Sequence, residues 1–325
     1  MSLVHGLGKS ARLMAESEPP DRPELVRPEL DNFRHAIDWA IENDPELAFR
    51  LAIGLELFWA LNDAIEGVRV LRAVFETGAT IPPQLHARAL RVLGEIVWTA
   101  GDFEEGKRIQ EESLAAFEEL GDERGVAVVR HRLSVCALVD DDPVRARALL
   151  EASLETCHRL PDPKLEGDAL RVLGIVERRE GNTRRALELY EQSIELLERI
   201  GHTWVLTHVL GDSAELLHEL GETARAEERV REGLRLSHEL VDRQSIVYAL
   251  ATLAGFATAT GQLERAGRLW GALEAEKARA PVGYWDADHD EYGKRIVRDD
   301  PAFERGREEG RRLSLDEAVA YALGP

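Results

Sequence analysis

The feature that most constrains this chain is a period. The dipeptides that interrupt its helical pattern, Gly101-Asp102, Asp141-Asp142, Gly181-Asn182, Gly221-Glu222 and Gly261-Gln262, stand 40 residues apart. Five residues after the first position of each break comes a small residue: Gly106, Ala146, Ala186, Ala226 and Ala266. Seven further on are Ser113, Ser153, Ser193 and Gly233, with Leu273 as the exception. Eight residues before each break lies Leu93, Leu133, Leu173, Ser213 or Leu253, followed by Gly94, Ser134, Gly174, Ala214 or Ala254. Columns that stay in register through five copies define a repeat. A unit of this length cannot bury its own apolar face and becomes stable by stacking on its neighbours.

The columns also show what is repeated. Leu90, Leu93, Gly94 and Val97 recur at i, i+3, i+4 and i+7, the apolar stripe of a helix. The break supplies a turn, since glycine accepts the left-handed conformation that ends a helix. A second helix follows with the same spacing in Ala186, Leu189, Tyr190, Ser193 and Leu197. Small residues such as Gly94, Gly174, Ala186 and Ser193 let the two backbones approach. A helix pair with leucine-glycine on the first helix, and alanine, a bulky apolar residue and a small one on the second, resembles the tetratricopeptide repeat. That repeat usually has 34 residues. The six extra residues here make it similar to the long, MalT-like tetratricopeptide region of bacterial STAND-class signal-transduction ATPases. The resemblance implies an all-α fold: a right-handed superhelical solenoid of antiparallel helix pairs.

The chain has 325 residues and 44% hydrophobic content, spread evenly along the repeats. Its apolar runs are short and broken by Arg and Glu, so no membrane span is expected. The N-terminus lacks a charged-then-apolar signal pattern, and a cytoplasmic location is expected. Cys136 and Cys157 are far from any paired-cysteine spacing and read as reduced, buried small residues. The net charge of −20 argues against direct contact with nucleic acid, whose affinity for proteins is driven mainly by cations.

In chain order, residues 4–20 read as helical and contain Gly6-Leu7-Gly8-Lys9-Ser10. This is not a phosphate loop: the motif requires a glycine where Leu3 stands, and no strand precedes it. The spacing predicts helices over Glu29–Ala40, from Asp44-Pro45 through Leu47, Leu51, Leu55, Phe58 and Trp59, and over Glu66–Gly78. Residues 1–81 form a helical lead-in, 82–280 five repeats, and 281–325 a helical cap, with Ser314-Leu315-Asp316-Glu317 as a capping box opening the last helix. The segments Glu29–Ala40, Arg50-Leu51-Ala52, Phe58-Trp59, Glu66-Gly67, Arg265–Ala272 and Gly310–Val319 resemble those that flank the repeats in STAND-class transcriptional regulators. The resemblance therefore runs from about Glu29 to Leu323. In that family, nucleotide-binding and winged-helix parts precede this region. The resemblance thus implies the sensor or scaffold arm of a longer regulator, with upstream ATPase and DNA-binding domains as partners.

Catalytic motifs do not hold up. His218-Glu219 and His238-Glu239 begin a zinc-protease pattern whose second histidine would fall on Glu222 and Asp242. Asp286, Asp288 and Asp290 imitate the start of a calcium loop, but Glu291 and Val297 occupy its glycine and last-ligand positions. No Gly-x-Ser-x-Gly segment occurs. Neither an enzyme nor a cofactor is expected. Binding is the better reading. In tetratricopeptide solenoids the first helix of each repeat lines the concave groove. The stripe beside its buried face then presents Arg88, Arg91, Glu95 and Trp98, then His131, then Arg171 and Arg178, then His208, Glu215 and His218, then Tyr248. Arginine forks suit carboxylates or phosphates, and Trp and Tyr provide rigid contact area. A protein, peptide or small acidic effector is the expected ligand. The competing reading is that these arginines pair with neighbouring acids. The competing role is a free-standing adaptor without an ATPase module.

Overall fold

The computed structural model describes residues 26–279 and 285–324. Among them the chain is all-α, with seventeen α-helices, one short 3-10 turn at Arg27–Glu29 and no strand. The predicted helix at 4–20 and the Gly6–Ser10 stretch lie outside the described residues. No helix among the described residues is long and apolar enough to cross a membrane.

The lead-in comprises α1 (Leu30–Asn43), α2 (Pro45–Gly54), α3 (Glu56–Asn62) and α4 (Ala64–Glu76). One helix was predicted where α2 and α3 stand. The break is at Leu55 (φ −95°, ψ 10°), directly after Gly54, the weakest helix former in that run. Leu55 itself and Trp59 beyond it are both fully buried. Asp44 and Asp63 cap α2 and α4 by accepting hydrogen bonds from the backbone N–H of Leu47 (3.2 Å) and Glu66 (2.9 Å).

Five helix pairs follow: α5 (Pro83–Thr99) with α6 (Phe103–Leu120), α7 (Glu123–Val139) with α8 (Pro143–Arg159), α9 (Pro163–Arg179) with α10 (Thr183–Ile200), α11 (Thr203–Glu219) with α12 (Thr223–Glu239), and α13 (Arg243–Ala259) with α14 (Leu263–Arg279). The turn column behaves as its composition requires. Gly101, Gly181, Gly221 and Gly261 all have positive φ, and Asp141 takes the same conformation (φ 57°) where the column lacks glycine. Between pairs, Gly121 and Gly201 do likewise. Before the last pair the same position is held by Val241, at φ 56°, a conformation costly for a β-branched residue. A further column caps the first helices: Asp122, Asp162 and Asp242 accept from the N–H three residues on, and at the fourth copy the His202 ring takes that place.

The small-residue columns are packing devices. The Ser113 hydroxyl on α6 donates to the Ala87 carbonyl on α5 at 2.9 Å, and Ser153 on α8 donates to Ala127 on α7 at 3.0 Å, each spanning 26 residues. Gly233 on α12 keeps the register, since a Cβ built there would stand 3.6 Å from the Thr207 carbonyl oxygen. Gly174 is required by its partner, because a Cβ there would collide with the Tyr190 ring.

The chain divides into two compact units, residues 1–172 and 173–325. In the first, Phe33, Leu51, Leu55, Trp59, Leu71, Ile96 and Ile109 belong to one apolar cluster. A second cluster around Phe117, Val129 and Leu133 follows. Cys136 and Cys157 are buried free thiols, and burial pushes them up to about 12 and about 11, which makes them poor nucleophiles. In the second unit, Tyr190, Leu197, Val209 and Leu216 form one core. Leu250, Leu269, Trp270, Trp285 and Phe303 form the other.

Beyond the repeats come α15 (Trp285–Ile296), α16 (Pro301–Gly310) and α17 (Leu315–Leu323). Ser314 forms the predicted capping box with Glu317. Helices α14 and α16 meet backbone to backbone. A Cβ on Gly267, Gly271, Gly306 or Gly310 would strike a carbonyl oxygen of the facing helix, that of Phe303, Arg307, Glu264 or Arg268 respectively. Arg307 and Arg311 both reach Glu274 beside this contact, with Nη2–Oε1 at 2.5 Å and Nη2–Oε2 at 2.9 Å.

Candidate ligand-binding face

The predicted stripe lies on the half-buried face of the first helices, where a side chain can meet the first helix of the next pair. In the first unit it is a network of charges. The Arg91 guanidinium on α5 forks onto Glu56 of α3, with Nη1–Oε1 at 2.7 Å and Nη2–Oε2 at 2.6 Å. Burial would raise the Glu56 carboxyl, but the charge and hydrogen bonds of Arg91 outweigh it and hold the group below its ordinary value. Glu95, one turn on, is only 8% exposed and is met by Arg132 of α7. Here burial prevails and the carboxyl is raised, with Arg132 opposing. His131 is 4% exposed, with Nε2 3.5 Å from Asp168 Oδ2 on α9. Burial lowers it to about 4, so the ring is neutral at pH 7. Arg171 Nε donates to the other oxygen of Asp168 at 3.0 Å.

Arg91, Glu95, His131 and Arg171 are thus brought together, tied by Glu56, Arg132 and Asp168. Those three were not among the predicted site residues. Glu56 lies in the lead-in, and Arg132 is one position off the stripe. Arg88 is half-buried and has no ion pair among the described residues, while the Trp98 ring stands 4.8 Å from that of Phe103.

In the second unit, Arg178 on α9 holds Glu215 of α11 at 3.0 Å and also Glu219. His208 packs edge-on against Trp204, centroids 5.0 Å apart. His218 stacks on Phe256 of α13 at 4.2 Å. The Tyr248 hydroxyl donates to Asp288 of α15 at 2.5 Å. Its ring lies 5.6 Å from Trp285 and 5.9 Å from Tyr292, and those two rings are 5.4 Å apart. These aromatic and acidic partners come from the region beyond the period, where the repeat columns gave no guide.

Two stripe positions in this unit carry no side chain. Gly211 and Gly255 sit inside α11 and α13, and a Cβ built on either would have nothing within 4 Å. Glycine inside a helix costs about 1 kcal/mol relative to alanine, and neither packing nor positive φ accounts for it here. The signal was present in the sequence as two glycines, at helical positions away from any turn, on one stripe. Among the described residues no group of side chains is arranged to hold a metal ion. A shallow depression lined by Leu187, Glu188, Glu191 and Arg225 belongs to second helices and not to this face.

The tetratricopeptide-repeat family model matches residues 125–199, two of the five pairs' worth of chain. No curated protein matches by sequence. Among solved structures, a Rap protein complexed with competence and sporulation factor is similar at TM-score 0.62 and 14% identity, over 92% of this chain and 87% of that one. The chain has a tetratricopeptide-like solenoid fold. NprR in complex with its cognate peptide NprX is similar at TM-score 0.54 and 14% identity, over 89% of this chain and 80% of that one. A STAND protein with a tetratricopeptide repeat sensor from Pyrococcus horikoshii gives 0.54 at 16% identity, and the match covers 99% of this chain but 52% of that protein.

Proposed function

We propose that this chain is a non-catalytic binding arm that takes an extended peptide or a protein segment along its first-helix face, and that it serves as the sensor region of a STAND-type transcriptional regulator. The observation that carries the binding claim is the pair Gly211 and Gly255, helical positions left open on the face that also presents His208, Glu215, His218 and Tyr248. A ligand backbone can approach closely there, which is one use of glycine. The similar folds of a Rap protein and of NprR, each solved with a bound signalling factor or peptide, support a peptide as ligand. The similar STAND protein with a tetratricopeptide sensor supports the regulatory setting. A stack in which each repeat touches only its neighbours can turn a local contact into a change along its length.

The test is to pan a random hexapeptide library against the protein and measure amide hydrogen exchange with the selected peptides. Protection of α11 and α13 is expected. Selected peptides that leave both helices unprotected would remove this face from the function. The regulatory setting is tested separately by the gene. An in-frame upstream phosphate-loop domain is expected, and a complete short gene would favour the free-standing adaptor.

A further inference from the structure

The last helix, α17, is seated between two second helices, α12 and α14. From α12, the Arg231 guanidinium donates to the Gly324 carbonyl at 3.2 Å, and His238 Nε2 lies 3.0 Å from Asp316 Oδ1. From α14, Arg268 stands over the Tyr321 ring at 4.8 Å, and Arg279 donates to the Leu313 carbonyl at 2.9 Å. Residue numbers rise along α12 and α14 as they fall along α17, so the seated helix is antiparallel to both. Four basic posts hold its edges. Its inner stripe of Ala318, Val319 and Ala322 joins the apolar cluster that contains Leu234 and Leu269. This is a helix-in-groove contact made within one chain.

The period provides the same groove one repeat earlier, between α10 and α12. There the positions 40 residues before the four basic posts hold Glu191, Glu198, Glu228 and Glu239. Every post has changed sign. Glu191 is taken up by Arg225 at 3.3 Å and Arg229 at 2.7 Å. The side chains of Glu198, Glu228 and Glu239 are exposed and make no hydrogen bond or ion pair among the described residues, nor does that of Glu195. Two adjoining depressions run along this groove, with half-buried Leu187 and buried Ile194 in their lining. Of the lining cations, Arg225 and Arg229 are already on Glu191, and Arg184 lies at the end of α10 away from Glu198.

The occupied groove shows what such a seat takes, and the carboxylates of the earlier one set the charge of its occupant. We propose that the groove between α10 and α12 is a docking seat for a short helix of a partner protein, one whose stripe of small apolar residues is flanked by lysine or arginine. Glu198, Glu228 and Glu239 hold the basic residues through charge-assisted hydrogen bonds. The same carboxylates turn α17 away, since Asp316 would meet Glu198 and the carbonyl end would meet Glu191. The seat lies on second helices and is independent of the first-helix face.

The probe is α17 with its charges exchanged: a helix-stapled, fluorescent peptide of residues 313–324, amidated at its end and carrying Asp316→Lys and Tyr321→Lys, which sets lysines against Glu198 and Glu228. It is titrated into the full chain by fluorescence anisotropy. Saturable binding at least tenfold tighter than that of the unsubstituted peptide is expected, with amide exchange slowed in α10 and α12 and unchanged in α17. Affinity should fall tenfold or more in the Glu198→Lys/Glu228→Lys variant and by less than twofold in Glu42→Lys, an exposed acid on α1. Both variants alter exposed side chains, and circular dichroism confirms that affinities are compared between folded proteins. Absence of binding, equal affinity for the double variant, or faster exchange of α17 would each overturn the proposal, the last because the peptide would then be taking the seat of α17.

Discussion

The backbone of Gly271 on α14 lies directly against the carbonyl oxygen of Arg307 on α16, with no room for a single carbon between them. Gly267, Gly306 and Gly310 make the matching approaches, so the contact is two-sided. Each glycine gives up helix propensity, and the return is close packing along both helices. Gly271→Ala should therefore destabilise the second unit by about 1–3 kcal/mol through overpacking, with thermal unfolding monitored at the buried Trp270 as the readout. An unchanged midpoint would show that the helices part easily.

Val241 gives a prediction of the opposite sign. It is the β-branched residue in a left-handed turn position, and 42% of its surface is exposed, so little packing is lost by truncation. The left-handed conformation costs an L-residue about 1–2 kcal/mol, and glycine forfeits about 0.5–1 kcal/mol through the freedom of the unfolded chain. Val241→Gly should raise stability by roughly 0.5–1 kcal/mol by the difference of those terms. An upward shift of the urea midpoint is the expected outcome, and a downward shift would mean that Val241 contributes contacts beyond its turn.

The open glycines should separate stability from binding. Gly211→Ala and Gly255→Ala each fill empty space on a helix and should stabilise the protein by up to about 1 kcal/mol. The same substitutions should weaken the hexapeptides selected on the wild type. Stabilisation with undiminished affinity would show that the ligand backbone does not use these positions.

His131 links the first unit to pH. Its folded value of about 4 lies below the ordinary 6.5 because burial disfavours the charged ring. Between those values the unfolded chain binds the proton and the folded chain does not. This residue's contribution is therefore intact above pH 6.5 and is lost as pH falls toward 4. Buried Glu95 has the opposite slope, since its raised carboxyl favours the fold below its unfolded value and loses that advantage as pH rises. Equilibrium unfolding between pH 7 and 4.5 should lose stability less steeply in His131→Gln than in the wild type. Identical slopes would mean that the ring is protonated in place.

The period made most of the fold legible. The turn column at Gly101 and the small-residue columns at Gly174 and Ser153 do in space what their spacing implied, because a helix pair is a local structure whose partners recur at fixed distances. The break at Leu55 was not legible. The apolar stripe from Leu47 to Phe58 runs straight through it, and burial of Leu55 and Trp59 is a tertiary effect. The candidate site was legible in outline only. A stripe locates the face of a helix, but it does not show which neighbour meets each side chain. Glu56 answers Arg91 and Glu215 answers Arg178 across 35 and 37 residues, so those arginines are committed within the chain. The residues that give the second unit its acidic, aromatic character, Asp288, Tyr292 and Trp285, lie past the end of the repeat, where no column constrained them.

The glycine contact between α14 and α16 has a consequence for how the protein should respond to its medium. Ion pairs such as Arg91 with Glu56 weaken as counterions accumulate, whereas the backbone contact itself has no charge to screen and outlasts the Arg307 and Arg311 pairs with Glu274 beside it. In concentrated salt the rungs between successive first helices should slacken, while the C-terminal clasp keeps its grip.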